Sequence, residues 1–194
     1  MISRKGYYSL IQFQMKKRKR SKTIGMLLTQ QKFYLASQYL LPLASIIKEG
    51  FAQYVRREKA KHLSARNLAM AHAVKYAVKG KYPKQYIDPA LILLSDGSVQ
   101  GISVENMALD DNGLWLDFDG GEITAMNHDD ELLLVAYDPI AGVAIRNEGL
   151  VTRSSSGLRL ELPDYMQNVR LDVFILVRDR NRNRYSRSQY AGNV

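Results

Sequence analysis

The sequence predicts an α+β chain: a basic N-terminal arm and helices, followed by an antiparallel, immunoglobulin-like β-sandwich. Three observations predict it. Apolar residues recur every three or four positions between residues 29 and 79, and every two positions after Asp88-Pro89. Turn signals then punctuate the chain at strand-length intervals, as they do in sandwiches and barrels: Asp96-Gly97, Asp110-Asp111-Asn112-Gly113, Asp119-Gly120-Gly121, Asp138-Pro139 and Ser154-Ser155-Ser156-Gly157. Charge divides at nearly the same place. Residues 1–85 carry 19 Lys and Arg against 2 Asp and Glu, a net +17, whereas residues 86–194 carry 9 against 17, a net −8, and no lysine follows Lys84. The organisation read from this is a basic arm at 1–28, a helical region at 29–88 and a sandwich at 89–194.

The elements follow in order. In the arm, Tyr7 to Met15 alternates like a short strand and leads into Lys16, Lys17, Arg18, Lys19, Arg20 and Lys22, a self-repelling run that needs solvent or an anionic partner. Thr29 is the predicted N-cap of the first helix, whose apolar stripe runs through Phe33, Leu40, Leu41, Leu43, Ile46, Ile47, Phe51 and Tyr54. Pro42 removes a helical donor and predicts a kink or break. A second helix is predicted from about Ser64 to Lys79, closed by Gly80 with Pro83 beyond. Strands are predicted at Leu91–Leu94, Val99–Met107, Leu114–Phe118, Glu122–Met126, Leu132–Tyr137, Val143–Arg146, Leu150–Thr152, Leu158–Leu162, Val169–Val177 and about Arg184–Tyr190.

Several chemistries are disfavoured. With no cysteine there is no disulfide, thiolate metal site or cysteine nucleophile. His62, His72 and His128 lack the spacing of helical metal ligands. The acidic groups at Asp110-Asp111, Asp117-Asp119-Glu122 and Asp129-Asp130-Glu131 fit no calcium-loop pattern and read as turn caps at strand ends. No Gly-x-Ser-x-Gly elbow, phosphate loop or dinucleotide fingerprint is present. No secretory signal and no stretch of roughly 18 apolar residues stands out, which makes the cytoplasm the default expectation.

The residues Thr29-Gln30-Gln31-Lys32-Phe33, Leu40-Leu41-Pro42-Leu43, Gly50-Phe51 with Tyr54, Asn67, Ala77-Val78-Lys79-Gly80-Lys81-Tyr82-Pro83, Ile87-Asp88-Pro89, Val135-Ala136-Tyr137-Asp138-Pro139, Arg153 and Leu162-Pro163 occur in an order and spacing that resembles a known bacterial family. So do Ser186, Ser188, Tyr190 and Gly192 at the end of the chain. That family is catalogued only as a domain of unknown function. The resemblance covers about residues 29–193. The glycine-rich start usual in the family is replaced here by Arg4 to Met15 and the basic run. The resemblance implies helices plus a sandwich, and it implies no activity.

The function expected is therefore a structural or protein-interaction component without catalysis or cofactor, whose basic and acidic halves meet different partners or neighbouring copies. The alternative is nucleic-acid binding by the basic half; Lys16, Lys17, Arg18, Lys19, Arg20 and Lys22 are the expected charge contacts, to a protein partner in the first case and to phosphates in the second.

Overall fold

The computed structural model describes residues 23–57, 63–110 and 113–194. Helix α1 (Ile24–Leu40) starts earlier than Thr29, so residues 24–28, expected in the arm, are helical. Thr23 is the cap, its hydroxyl oxygen accepting the Met26 N–H at 3.4 Å. Thr29 lies inside the helix and donates its hydroxyl back to the Gly25 carbonyl at 2.9 Å, the internal bond that lets a threonine sit within a helix. Pro42 produces a break: α1 ends at Leu40 and α2 (Ala44–Gly50) begins beyond the proline. A Cβ at Gly50 would strike the Leu94 carbonyl and lie 2.6 Å from Ser95 Cβ, so only glycine lets α2 close on that segment. α3 (Ala52–Arg57) follows.

α4 (Ala65–His72) is capped by Ser64, whose oxygen accepts the Asn67 N–H at 3.2 Å. The predicted continuation to Lys79 does not occur. Residues Ala73–Ala77 widen into a π-turn. The backbone then turns extended at Val78, where β1 (Val78–Lys79) pairs with β2 (Tyr86–Ile87) across Gly80, whose φ is +82°. Pairing with β2, closed by Asp88 N–H to the Ala77 carbonyl at 2.8 Å, replaces the last helical turn.

The remaining strands are β3 (Ser103–Asp110), β4 (Gly113–Asp119), β5 (Glu131–Asp138), β6 (Val143–Arg146), β7 (Gly157–Leu160), β8 (Asp172–Arg178) and β9 (Gln189–Asn193). They form a three-stranded sheet, β3-β4-β7, and a four-stranded sheet, β6-β5-β8-β9, with every pairing antiparallel. Among the described residues the parallel contact at Val99 and Ser186 is an isolated bridge. Three predicted strands are absent. At residues 150–152, Thr152 makes only an isolated bridge to Glu131. Residues 89–91 form a 3-10 turn capped by Asp88, followed by buried extended chain whose Leu94 N–H donates to Ser188 Oγ at 2.8 Å. Residues 122–126 form a turn held by Asn127, whose Oδ1 accepts the Thr124 N–H at 2.7 Å.

Successive strand residues face opposite ways, and in β5 both sets are covered. Leu133, Val135 and Tyr137, with Phe174 and Leu176 of β8, join Ala36, Leu40, Leu43, Ile47, Phe51 and Ala73 of the helical region in one core. Leu132, Leu134 and Ala136, with Val173, Ile175 and Val177, join Leu114, Leu116, Phe118, Leu158 and Leu160 of the three-stranded sheet in the other. The protein thus has three layers: helices, four-stranded sheet, three-stranded sheet.

Leu134→Ala is expected to lower stability by about 2–5 kcal/mol, since Leu134 is wholly buried. Helical circular dichroism and the emission of Trp115 in β4 should be lost in one coincident denaturant transition, because the middle sheet belongs to both cores. Two separated transitions would contradict the shared core.

Candidate interaction surfaces

The predicted contact residues Lys16, Lys17, Arg18, Lys19, Arg20 and Lys22 lie outside the described residues. The described residues show how the rest of the charge is laid out. Glu49 is the one acidic residue among the described positions of 23–87, alongside Lys32, Lys48, Arg56, Arg66, Lys75, Lys79, Lys81 and Lys84. Glu49 is neutralised from the sheet, 2.9 Å from Arg146 and 3.9 Å from Arg178. On the opposite outer layer, β3 and β4 carry Glu105, Asp110, Asp117 and Asp119, and β7 supplies Arg159. Asp117 shares the outward face of β4 with Trp115, which is 41% exposed and has the Arg159 guanidinium 5.7 Å from its ring centre. β3 pairs only with β4 and presents its other edge without a neighbouring strand among the described residues.

The acidic groups divide in role. Asp119 caps its turn as expected, accepting the Gly121 N–H at 2.8 Å. Asp130 and Glu131 do not cap turns. Glu131 is a buried ion-pair partner of Arg178 and lies 3.1 Å from Arg182. Asp130 lies 3.4 Å from Arg153, whose fully buried side chain also donates to the carbonyls of Gln100, Gly101 and Gly120 at 2.5, 3.1 and 2.7 Å. Burial raises the Asp130 carboxyl above its usual range, outweighing the pull of Arg153. Asp179 goes the other way: burial would raise it, but the N–H groups of Arg184 and Asn183 and the Arg184 side chain together hold it below the usual range. Sequence spacing could not separate these roles, because all are short runs of acids between strands.

A further interior group is built from tyrosines. Tyr39 of α1 donates to Asp172 Oδ2 at 2.7 Å, and Tyr190 donates to Oδ1 at 3.2 Å. Burial first, then the Asp172 charge, pushes Tyr190 and Tyr137 up to about 12 and Tyr39 higher still, so all three phenols stay protonated. This group ties α1 to β8 and β9. Among the described residues no three His, Asp or Glu come together as a metal site, and no helix is long and apolar enough to cross a membrane.

Beside the π-turn a cleft of about 670 Å³ is lined by His72, Tyr76, Lys79, Leu91, Leu93, Asp96, Arg187 and Tyr190, among others. The His72 ring lies 4.8 Å from that of Tyr76, and its buried Nδ1 has no hydrogen-bond partner. π-turns occur frequently at functional sites, and no spacing of apolar residues marks this one in advance.

A family model described as a family of unknown function (DUF6266) matches residues 3–192. The chain belongs to that family. The match includes the arm, which the resemblance over 29–193 had left out, so the basic run of this DUF6266 member lies within the span of its family. No curated protein and no solved structure matches the chain.

His72 yields a pH dependence. Burial, then repulsion from Arg187, outweighs the opposing pull of Asp96 and, with a smaller repulsion from Lys75, lowers its pKa from 6.5. In the window between the lowered value and 6.5 the unfolded chain binds more protons, so stability rises with pH there and is lost as pH falls through it. His72→Phe is expected to flatten that part of the stability profile, measured by urea denaturation between pH 4.5 and 7.5 at roughly half-unit steps; an unchanged slope would place the titration elsewhere.

Proposed function

We propose that this protein is a structural, protein-interaction component that acts without catalysis, its basic helical half meeting the acidic outer sheet of a neighbouring copy. One observation carries the reading: the two charge signs occupy the two outermost layers, with the four-stranded sheet between them. Opposite faces of opposite sign make a head-to-tail, heterologous contact self-complementary, which generates rings or filaments. The arm residues Lys16, Lys17, Arg18, Lys19, Arg20 and Lys22 add to the basic partner in this reading, and the open β3 edge gives the Tyr7–Met15 segment a strand to pair with. Trp115 on the acidic face is the kind of large, rigid side chain that anchors interfaces.

The finer fold class belongs to the same reading. Taken as seven sandwich strands in chain order, β3, β4 and β7 are the first, second and fifth, and β6, β5, β8 and β9 are the fourth, third, sixth and seventh. That division supports an immunoglobulin-like arrangement.

Sedimentation of the full chain is expected to show oligomers at low salt that dissociate as salt rises, because the contact is ionic and exposed. The double charge reversal Glu105→Lys, Asp117→Lys should dissociate them. Serine at Lys16, Lys17, Arg18, Lys19, Arg20 and Lys22 should do so as well, since the two sets are opposite halves of one contact. Asp130 and Glu131 are left intact because they are buried. A monomer at every salt concentration, or an oligomer indifferent to both sets, defeats the proposal.

A further inference from the structure

Residues 75–86 read Lys-Tyr-Ala-Val-Lys-Gly-Lys-Tyr-Pro-Lys-Gln-Tyr, four lysines interleaved with three tyrosines. The structure turns this run outward. The π-turn carries Lys75 and Tyr76, β1 carries Lys79, the connecting loop carries Lys81, Tyr82 and Lys84, and β2 carries Tyr86. Tyr76, Tyr82 and Tyr86 are 44%, 39% and 59% exposed, a large amount of ring for a protein surface to leave uncovered. Lys79 and Tyr86 are register partners across β1 and β2, which sets a cation beside a ring. Lys75 Nζ lies 4.8 Å from the centre of the Tyr76 ring.

The loop is held in place from outside. Gln31 of α1 donates to the Pro83 carbonyl at 2.7 Å, and the Gly80 backbone passes close enough to the Tyr86 ring that a Cβ there would touch it at 3.4 Å. Arg187 extends the cationic surface into the cleft beside His72 and forms no hydrogen bond or ion pair with any described residue. The described residues 63–87 contain no carboxylate; Asp88, which follows directly, turns its side chain to the Ala90 N–H, and Asp96 lines the cleft.

The geometry points to a binding site for single-stranded nucleic acid on this ridge, with phosphates on Lys75, Lys79, Lys81, Lys84 and Arg187 and bases stacked on Tyr76, Tyr82 and Tyr86. Cations alone would suit any polyanion; exposed rings among them favour a polyanion that carries flat, unpaired bases. A duplex keeps its bases stacked inside and offers the rings nothing. The lysines of this ridge belong to the basic half that the assembly reading also uses, but the tyrosines separate the two: stacking of bases on Tyr76, Tyr82 and Tyr86 has no counterpart in a contact between that half and the acidic sheet.

The test uses the full chain with Lys16, Lys17, Arg18, Lys19, Arg20 and Lys22 changed to serine, which removes six of the arm's eight cations. Anisotropy of a labelled ten-residue oligothymidylate should give a log affinity against log salt slope of about −3.5, from five cations at about −0.7 each. Lys79→Ser, Lys81→Ser and Lys84→Ser together should reduce that slope to about −1.4. Tyr76→Leu, Tyr82→Leu and Tyr86→Leu should each weaken binding roughly fivefold or more while leaving the slope unchanged. The rings are exposed, and circular dichroism checks that each variant is folded. The inference is overturned if oligothymidylate is not bound at low salt, if polyglutamate or a duplex of equal length binds as tightly, or if the tyrosine variants bind as the parent does. Preference for polyglutamate would make the ridge a docking surface for acidic protein.

Discussion

The architecture depends on a pair of antiparallel strands, β5 and β8, that have no wet face. Antiparallel sheets commonly leave one side to solvent. Here all eight residues of β5 and six of seven in β8 are buried, so each side of the sheet needs its own cover. The helices provide one cover and the three-stranded sheet the other. Every fully buried side chain of that size contributes about 1.5–3 kcal/mol by leaving water, and the two covers draw on alternate residues of the same strands. Neither can be removed without exposing a row of Leu, Val, Ile or Phe.

Covering both faces pushes ordinary charge outward and leaves a few ions inside under strict conditions. Arg153 is fully buried and tolerable because three carbonyls and Asp130 surround it. Glu131 is shared between Arg178 and Arg182, and Arg178 also approaches Glu49 on α2. The first group joins the 100–101, 120 and 130 stretches, and the second ties α2 to β5 and β8 beside the core those elements share. Their arrangement is that of fasteners, whereas Trp115 is exposed on the three-stranded sheet and Tyr76, Tyr82 and Tyr86 are exposed beside the helices.

Much of this was legible in the residues, and the reasons for the rest are physical. The period change at Asp88-Pro89 marked the passage from helix to strand, and Pro42 marked the helix break. The run Leu132–Tyr137 identified itself as a strand by its apolar content, but a run apolar at every position does not say what covers each side; helices much earlier in the chain decide one side and the flanking strands β4 and β7 the other. Thr29 looked like a cap because a threonine before an apolar stripe usually is one, while Thr23, masked by the basic run before it, takes that role. The end of the second helix was misplaced because Gly80 marked its expected cap; Ala73–Ala77 stays helical as a π-turn, and the pairing of Val78 with Ile87 takes the last two residues into a strand. Of the candidate contact residues, the arm was singled out by its charge density; the ridge at 75–86 was in plain view as letters, yet only the turn from π-helix to strand puts its lysines and tyrosines on one surface.

The order of the layers along the chain has a consequence for synthesis. The helices come first, and their apolar stripe through Ala36, Leu40, Leu43, Ile47 and Phe51 is covered by strands at residues 131–178. At a ribosomal pace of roughly 5–20 residues per second, an interval of about 100 residues leaves that stripe bare for roughly 5–20 seconds. During that time the nascent chain is a greasy, positively charged helical segment tethered to a ribosome made of RNA. Its C-terminal half must emerge almost entirely before the middle sheet can close, so a transcript truncated anywhere before β8 would yield a sticky fragment rather than a smaller working protein.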